Sequence, residues 1–91
     1  MEQEGFVYIL RSQKNGRYYI GSTNNIKRRL IEHHEGRTKS TKYIRPLDLC
    51  FYQSYPTLPE ARQVERRVKS FKSKDLIEKI IKDGVIKFKG D

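Results

Sequence analysis

Arg29 and His33 stand one helical turn apart in a stretch where Ile26, Leu30 and His33 recur at helical spacing. A guanidinium forks a phosphate through two parallel N–H donors, and an imidazole moves protons near neutrality, so the pair is suited to a phosphate ester. An exposed, solvated helix edge is the plainer reading of the same residues, and His34 has nothing to set against it. Further along, Glu65 lies on the flank of an apolar stripe formed by Ala61, Val64, Val68 and Phe71, whereas Arg62, Arg66 and Arg67 turn away from it. That carboxylate has two uses open to it. It can pair with Lys69 at i+4, which stabilises a helix by about 0.3–0.5 kcal/mol, or it can hold a Mg²⁺-like ion together with phosphate oxygens and water. Six tyrosines interleave with the basic residues, and strand tyrosines are ordinarily core-edge residues, so type alone assigns none of them a role.

The elements that must position these side chains are legible from pattern. Phe6–Leu10 and Tyr18–Ile20 are short β-branched and aromatic runs with Asn15-Gly16 between them, a hairpin signal. A two-residue turn at Asn15-Gly16 places Tyr8, Leu10, Ser12, Tyr19 and Gly21 on one face, with Tyr19 opposite Ser12. Tyr19 is then about 13 Å along the strand from Tyr8, and contact between the two rings requires a longer loop or a bulge. Thr23 or Asn24 is expected to cap a helix running to about His34 and stopped by Gly36. Residues 36–46 read as a basic, aperiodic loop, and Leu47–Tyr55 as a third strand. Thr57-Leu58-Pro59-Glu60 is a capping box with proline in the first turn, opening a helix over about 58–71. Ser73 caps a last helix with Leu76, Ile77, Ile80 and Ile81 as its buried face and Gly84 as its stop.

The expected fold is a small α+β domain: a three-stranded antiparallel sheet, built from the N-terminal hairpin plus the third strand, flanked by three helices in the order β-β-α-β-α-α. Residues 1–84 form one domain, and 85–91 are a basic tail that could add a short edge strand. Ninety-one residues support one thin core. Twenty Lys and Arg against eleven Asp and Glu leave a net charge of +9, which selects polyanionic partners such as nucleic acid. The one cysteine and two histidines exclude an internal disulfide and a zinc finger. No apolar run approaches a membrane span and the first residues are acidic, so the expectation is a cytoplasmic protein with no membrane partner.

Taken as a set, Phe6-Val7-Tyr8, Tyr19-Ile20-Gly21, Arg29, His33 and Glu65 resemble the GIY-YIG nuclease family, over about residues 5 to 83. The two tyrosines are eleven residues apart, and Arg29 follows Tyr19 by ten. The resemblance is to the small standalone bacterial branch related to the nuclease domain of excision-repair proteins. Two positions depart from the pattern: Phe6 stands at the first glycine of the family's name, and no asparagine follows Asn25, where many members place one near the metal.

The resemblance implies a phosphodiesterase using one divalent ion, Mg²⁺ or Mn²⁺, held by Glu65. The metal and Arg29 would stabilise charge on the scissile phosphate. Tyr8 or Tyr19 would orient or deprotonate the attacking water, with His33 bonding that tyrosine or relaying its proton. Gly21 would permit close approach of phosphate or backbone, although a strand-end glycine is explanation enough. Arg37, Lys39, Lys42 and Arg45 of the loop, with Arg62, Arg66 and Lys69 of the helix, would supply nonspecific phosphate contacts. The expected substrate is DNA rather than RNA, cut as a nick by a monomer or by a transient dimer on DNA. A catalytically silent nucleic-acid-binding module is the alternative. A small protein that docks on an acidic partner is a third reading.

Overall fold

The computed structural model describes residues 4–88. Its elements are β1 (Gly5–Ser12), β2 (Tyr18–Thr23), α1 (Ile26–His34), a 3₁₀ turn (Lys42–Ile44), β3 (Leu47–Tyr55), α2 (Leu58–Ser70) and α3 (Lys74–Asp83). The three strands form one antiparallel sheet in the order β2-β1-β3, giving the expected α+β architecture.

β1 lies at the centre, and its unbroken apolar run is explained by burial on both faces. Val7 and Ile9 point to one side, where they meet Ile20, Phe51, Ala61, Val68, Ile80 and Ile86 beneath α2 and α3. Tyr8 and Leu10 point to the other, where Leu47, Ile26, Leu30 and Ile44 cover them beneath α1 and the 3₁₀ turn. The sheet is thus a partition between two small cores, and side chains that alternate along one strand serve different helices.

The hairpin register differs from the expectation. Tyr8 pairs with Gly21 and Leu10 with Tyr19, two residues out of step with a two-residue turn. The loop is longer, closed by Ser12 N–H to Arg17 O (2.9 Å) and Gly16 N–H to Ser12 O (2.9 Å). The buried Ser12 hydroxyl accepts from the backbone N–H groups of Lys14 and Asn15, and donates to Ile44 O at 2.6 Å. Because the shift is two residues and strands alternate with period two, the predicted face survives.

Asn25, not Thr23 or Asn24, caps α1, its side chain accepting from Arg28 N–H. Thr23 Oγ1 instead accepts from Asn25 N–H at 3.1 Å, holding the residue before the helix. Gly36 and Gly84 adopt the left-handed conformation that ends α1 and α3, as their positions suggested. Thr57 and Ser73 cap α2 and α3 as expected. The loop at 36–46 is not wholly irregular, since Lys42–Ile44 form the 3₁₀ turn. Residues 85–88 form no strand; Ile86 is buried, and its N–H donates to Gln53 Oε1 at 2.9 Å. Residues 89–91 of the basic tail lie outside the described residues.

Candidate active site

Tyr8 enters the site from the central strand, 1% exposed, with its hydroxyl 2.8 Å from His33 Nε2. Arg29, one turn before His33 on α1, donates from Nε to the same hydroxyl at 3.4 Å. Helical spacing delivers Arg29 and His33 together, and the strand pleat aims Tyr8 at them. Tyr19 lies diagonally across the hairpin from Tyr8. Its ring centroid stands 6.3 Å from that of Tyr8 and 5.1 Å from that of His33. The longer hairpin loop brings the tyrosines together, which the two-residue turn would not have done.

Gly21 sits directly under the Tyr8 ring. A Cβ there would fall 2.4 Å from Tyr8 Oη and 2.5 Å from Cζ, so the missing side chain makes room for the tyrosine. That is a different use from the phosphate approach expected of it.

His33 is fully buried, and its second ring nitrogen, Nδ1, lies 2.7 Å from Thr41 Oγ1. Burial, reinforced by the Arg29 charge, lowers the imidazole to about 4, which keeps it neutral at pH 7. Burial also pushes Tyr8 up to about 12, against the opposing pull of the Arg29 hydrogen bond and with smaller pushes from Tyr19 and Glu65. The hydrogen bond to Tyr8 is the main cause holding Arg29 above its usual range. In the free protein Tyr8 is therefore a protonated phenol beside a permanent cation. Arg29 also pairs with Glu32 at 3.0 Å, and that pairing holds the Glu32 carboxyl below its usual range.

Glu65 approaches from the opposite side of the sheet. Ser22, which alternates away from Gly21, donates to Glu65 Oε1, while Lys69 Nζ donates to Oε2 at 2.5 Å. Lys69 also lies 6.0 Å from the Tyr19 ring centroid, so it bridges the two sides around the edge strand β2. Both readings of Glu65 thus remain chemically available: it makes the i+4 pair, and it presents hard oxygen at the rim of the site. Among the described residues no cluster of three or more His, Cys, Asp or Glu gathers, so the donor set does not suit zinc. It does suit a Mg²⁺- or Mn²⁺-type ion, which takes one carboxylate and completes its shell with water and phosphate oxygens.

The other basic positions divide. Arg62 lines a hollow of about 360 Å³ with Ser22, Thr23, Arg28, Arg29 and Glu32. Arg66 and Lys39 are exposed. Arg37 pairs with Glu35. Arg45 donates to the carbonyls of Lys42 (3.0 Å) and His34 (3.2 Å), its guanidinium packed against Gly36 while the residue stays exposed. Lys42 lines a second basic hollow with Lys14, His34, Tyr43 and Arg45. Sequence reasoning missed Ser22, Glu32 and Thr41. Glu32 was legible as the i+3 partner of Arg29, but nothing local marks Ser22 or Thr41.

Residues 4–79 match the family model of the GIY-YIG catalytic domain. A UPF0213 protein of Nitratidesulfovibrio vulgaris is 45% identical over 65 residues, covering 70% of this chain and 58% of its own length. A UPF0213 protein of Staphylococcus saprophyticus is 32% identical over 80 residues, covering 87% of this chain and 95% of its own. The solution NMR structure of a UPF0213 protein from Bacillus halodurans superposes with a TM-score of 0.57 at 31% identity, covering 88% of this chain and 84% of the other. The chain belongs to the GIY-YIG family, among relatives that include these small bacterial proteins.

Proposed function

We propose that the protein is a divalent-metal-dependent endonuclease that nicks DNA, with Tyr8 rather than Tyr19 as the tyrosine that activates water. Family membership implies endonuclease chemistry on nucleic acid. The observation that carries the assignment is the placement of Tyr8 Oη between His33 Nε2 and Arg29 Nε, while Tyr19 meets His33 only through its ring.

The proton path follows from the donors. Arg29 can only donate, so the relay requires the Tyr8 proton to point to an unprotonated His33 Nε2. Values of about 12 and about 4 keep that proton on Tyr8 in the free protein. A phosphate meeting Arg29 offsets the charge that helps depress His33, and so makes the imidazole a better acceptor. In the reactive step water passes a proton to Tyr8 Oη as Tyr8 passes its own to Nε2. The water oxygen bonds to phosphorus, the bond to the leaving oxygen breaks, and that oxygen takes a proton from solvent. Arg29 faces the charge gathering on the phosphoryl oxygens. Glu65 would hold the Mg²⁺ or Mn²⁺ ion, which when bound supplies Lewis-acid stabilisation of that charge. Arg29 must part from Glu32 to meet a phosphate, and Glu65 would have to part from Lys69 to hold the ion.

Arg62 and Arg66 on α2, with Lys39 and Lys42 on the loop, give backbone contacts without base readout, which suits nonspecific or structure-preferring nicking in repair or recombination. We place the protein in the cytoplasm, acting as a monomer or a transient dimer on DNA, with 1–84 as the nuclease domain and 85–91 as its tail. No helix among the described residues is long and apolar enough to cross a membrane.

The test is conversion of supercoiled plasmid to nicked circles with Mg²⁺, Mn²⁺ or EDTA, beside Glu65→Ala. Metal-dependent nicking lost in the variant is the expected result. Salt-sensitive binding without cleavage by the wild type on plasmid, RNA and branched substrates would favour the silent binding module.

A further inference from the structure

We infer that Thr41 is a positioning residue for the reaction: its hydroxyl holds the Nδ1 proton of His33, leaving the Nε2 lone pair turned toward the Tyr8 hydroxyl. The inference rests on the proposed water-activating role of Tyr8 and goes beyond it, because Thr41 acts through its hydrogen bond to His33.

The geometry is a closed chain. Tyr8 Oη lies 2.8 Å from His33 Nε2, and His33 Nδ1 lies 2.7 Å from Thr41 Oγ1. Tyr8, His33 and Thr41 are 1%, 0% and 0% exposed, so water does not substitute freely for any link. A neutral imidazole carries one proton, and the tautomer decides which way the chain runs. Were the proton on Nε2, Tyr8 Oη would accept both from His33 and from Arg29 Nε. The Tyr8 proton would then have no hydrogen-bonded acceptor among the described residues, and a buried stranded hydroxyl is costly. With the proton on Nδ1, it goes to Thr41 Oγ1, Nε2 accepts from Tyr8, and Tyr8 accepts from Arg29. The Thr41 hydroxyl proton then has no hydrogen-bonded acceptor among the described residues, so each tautomer strands one buried hydroxyl proton, and the relay itself selects the second: Tyr8 can hand its proton only to an unprotonated Nε2.

Thr41 also matters after transfer. The imidazolium has two N–H donors, and Thr41 Oγ1 is the acceptor for the one that Tyr8 does not face. The backbone fixes this acceptor in place: Thr41 N–H donates to Thr38 O and Ile44 N–H donates to Thr41 O, both at 3.1 Å. Thr41 thus sits at the N-terminal end of the 3₁₀ turn, within the loop that carries Lys39 and Lys42. The loop has a task besides charge: it brings the last member of the proton path to a helix eight residues away in sequence.

The experiment combines ¹⁵N NMR of the imidazole with cleavage kinetics for wild type, Thr41→Val and Thr41→Ser. In the wild type His33 should show a protonated Nδ1 and an unprotonated Nε2, with the Nδ1 proton protected from exchange. Thr41→Val should lose that protection and lower kcat by about tenfold with KM for DNA little changed, and Thr41→Ser should restore both. A wild-type His33 protonated on Nε2 would overturn the proposal, whether or not Thr41→Val folds. So would a folded Thr41→Val that retains the protected Nδ1 proton, or cleaves at the wild-type rate. If the wild type cleaves no nucleic acid, the nuclease reading fails, while the NMR arm still decides whether Thr41 orients His33.

Discussion

A methyl group added at Gly21 would stand 2.4 Å from Tyr8 Oη, and a cross-strand neighbour on a central strand cannot simply move aside. Gly21→Ala should therefore destabilise the fold by about 1–3 kcal/mol, the usual cost of overpacking, and push Tyr8 off His33. Denaturant melts check the first effect and nicking rates the second; a stable variant cutting at the wild-type rate would remove Gly21 from the site. His33 offers a pH test. Its folded value, about 4, lies below the ordinary 6.5, so its burial contributes stability that is fully present above about pH 6.5 and is lost as pH falls through about 4. Thermal melts of wild type and His33→Gln from pH 7 to 4 should show the gap between them narrowing on acidification, with other carboxyl titrations common to both. At this scale Arg29, His33 and Glu65 were readable because helical spacing is local. The choice between Tyr8 and Tyr19 was not, because it depends on which ring reaches Nε2 across elements.

The hairpin shows where element reading stops. Asn15-Gly16 is a strong turn signal, yet the turn is decided by Ser12, whose hydroxyl takes the N–H groups of Lys14 (3.0 Å) and Asn15 (3.1 Å) while donating to Ile44 O. That last acceptor lies 32 residues away, so the register was set by a contact absent from any local window. Capping chemistry is local by comparison, which is why Thr57 and Ser73 identified the starts of α2 and α3 from sequence. The start of α1 was harder, since Thr23, Asn24 and Asn25 are all competent caps and only the path of β2 selects the third. If Ser12 organises the hairpin, Ser12→Ala should cost about 1 kcal/mol in urea unfolding, as expected for a part-buried hydrogen-bond hub. Amide exchange should rise at residues 14–16 before it rises in β2. Unchanged exchange there would return control of the turn to Asn15-Gly16.

For the molecule as a whole, the sheet acts as a wall with candidate site residues on both sides and a meeting point at its edge. Tyr8, Tyr19, Arg29 and His33 belong to the α1 side, Glu65 to the α2 side, and Ser22 and Lys69 connect them around β2. A sequence names these residues but cannot show that one strand supplies both sides through alternate side chains. The charge of +9 was legible at once, yet its division was not. Arg62 lines the hollow beside Arg29, whereas the Arg45 guanidinium donates to two backbone carbonyls. The two arginines should consequently behave differently when DNA binding is followed against salt. Each phosphate contact contributes about 0.9 to the slope of log affinity against log salt on duplex DNA. Arg62→Ala should flatten the slope by about that amount and weaken binding to unrelated sequences alike. Arg45→Ala should leave the slope unchanged and lower the melting temperature, because what it loses is the clasp between the loop and the end of α1. Equal changes in slope for the two variants would mean that nucleic acid tracks the outer loop as well as the groove, and that the charge is spread rather than directed.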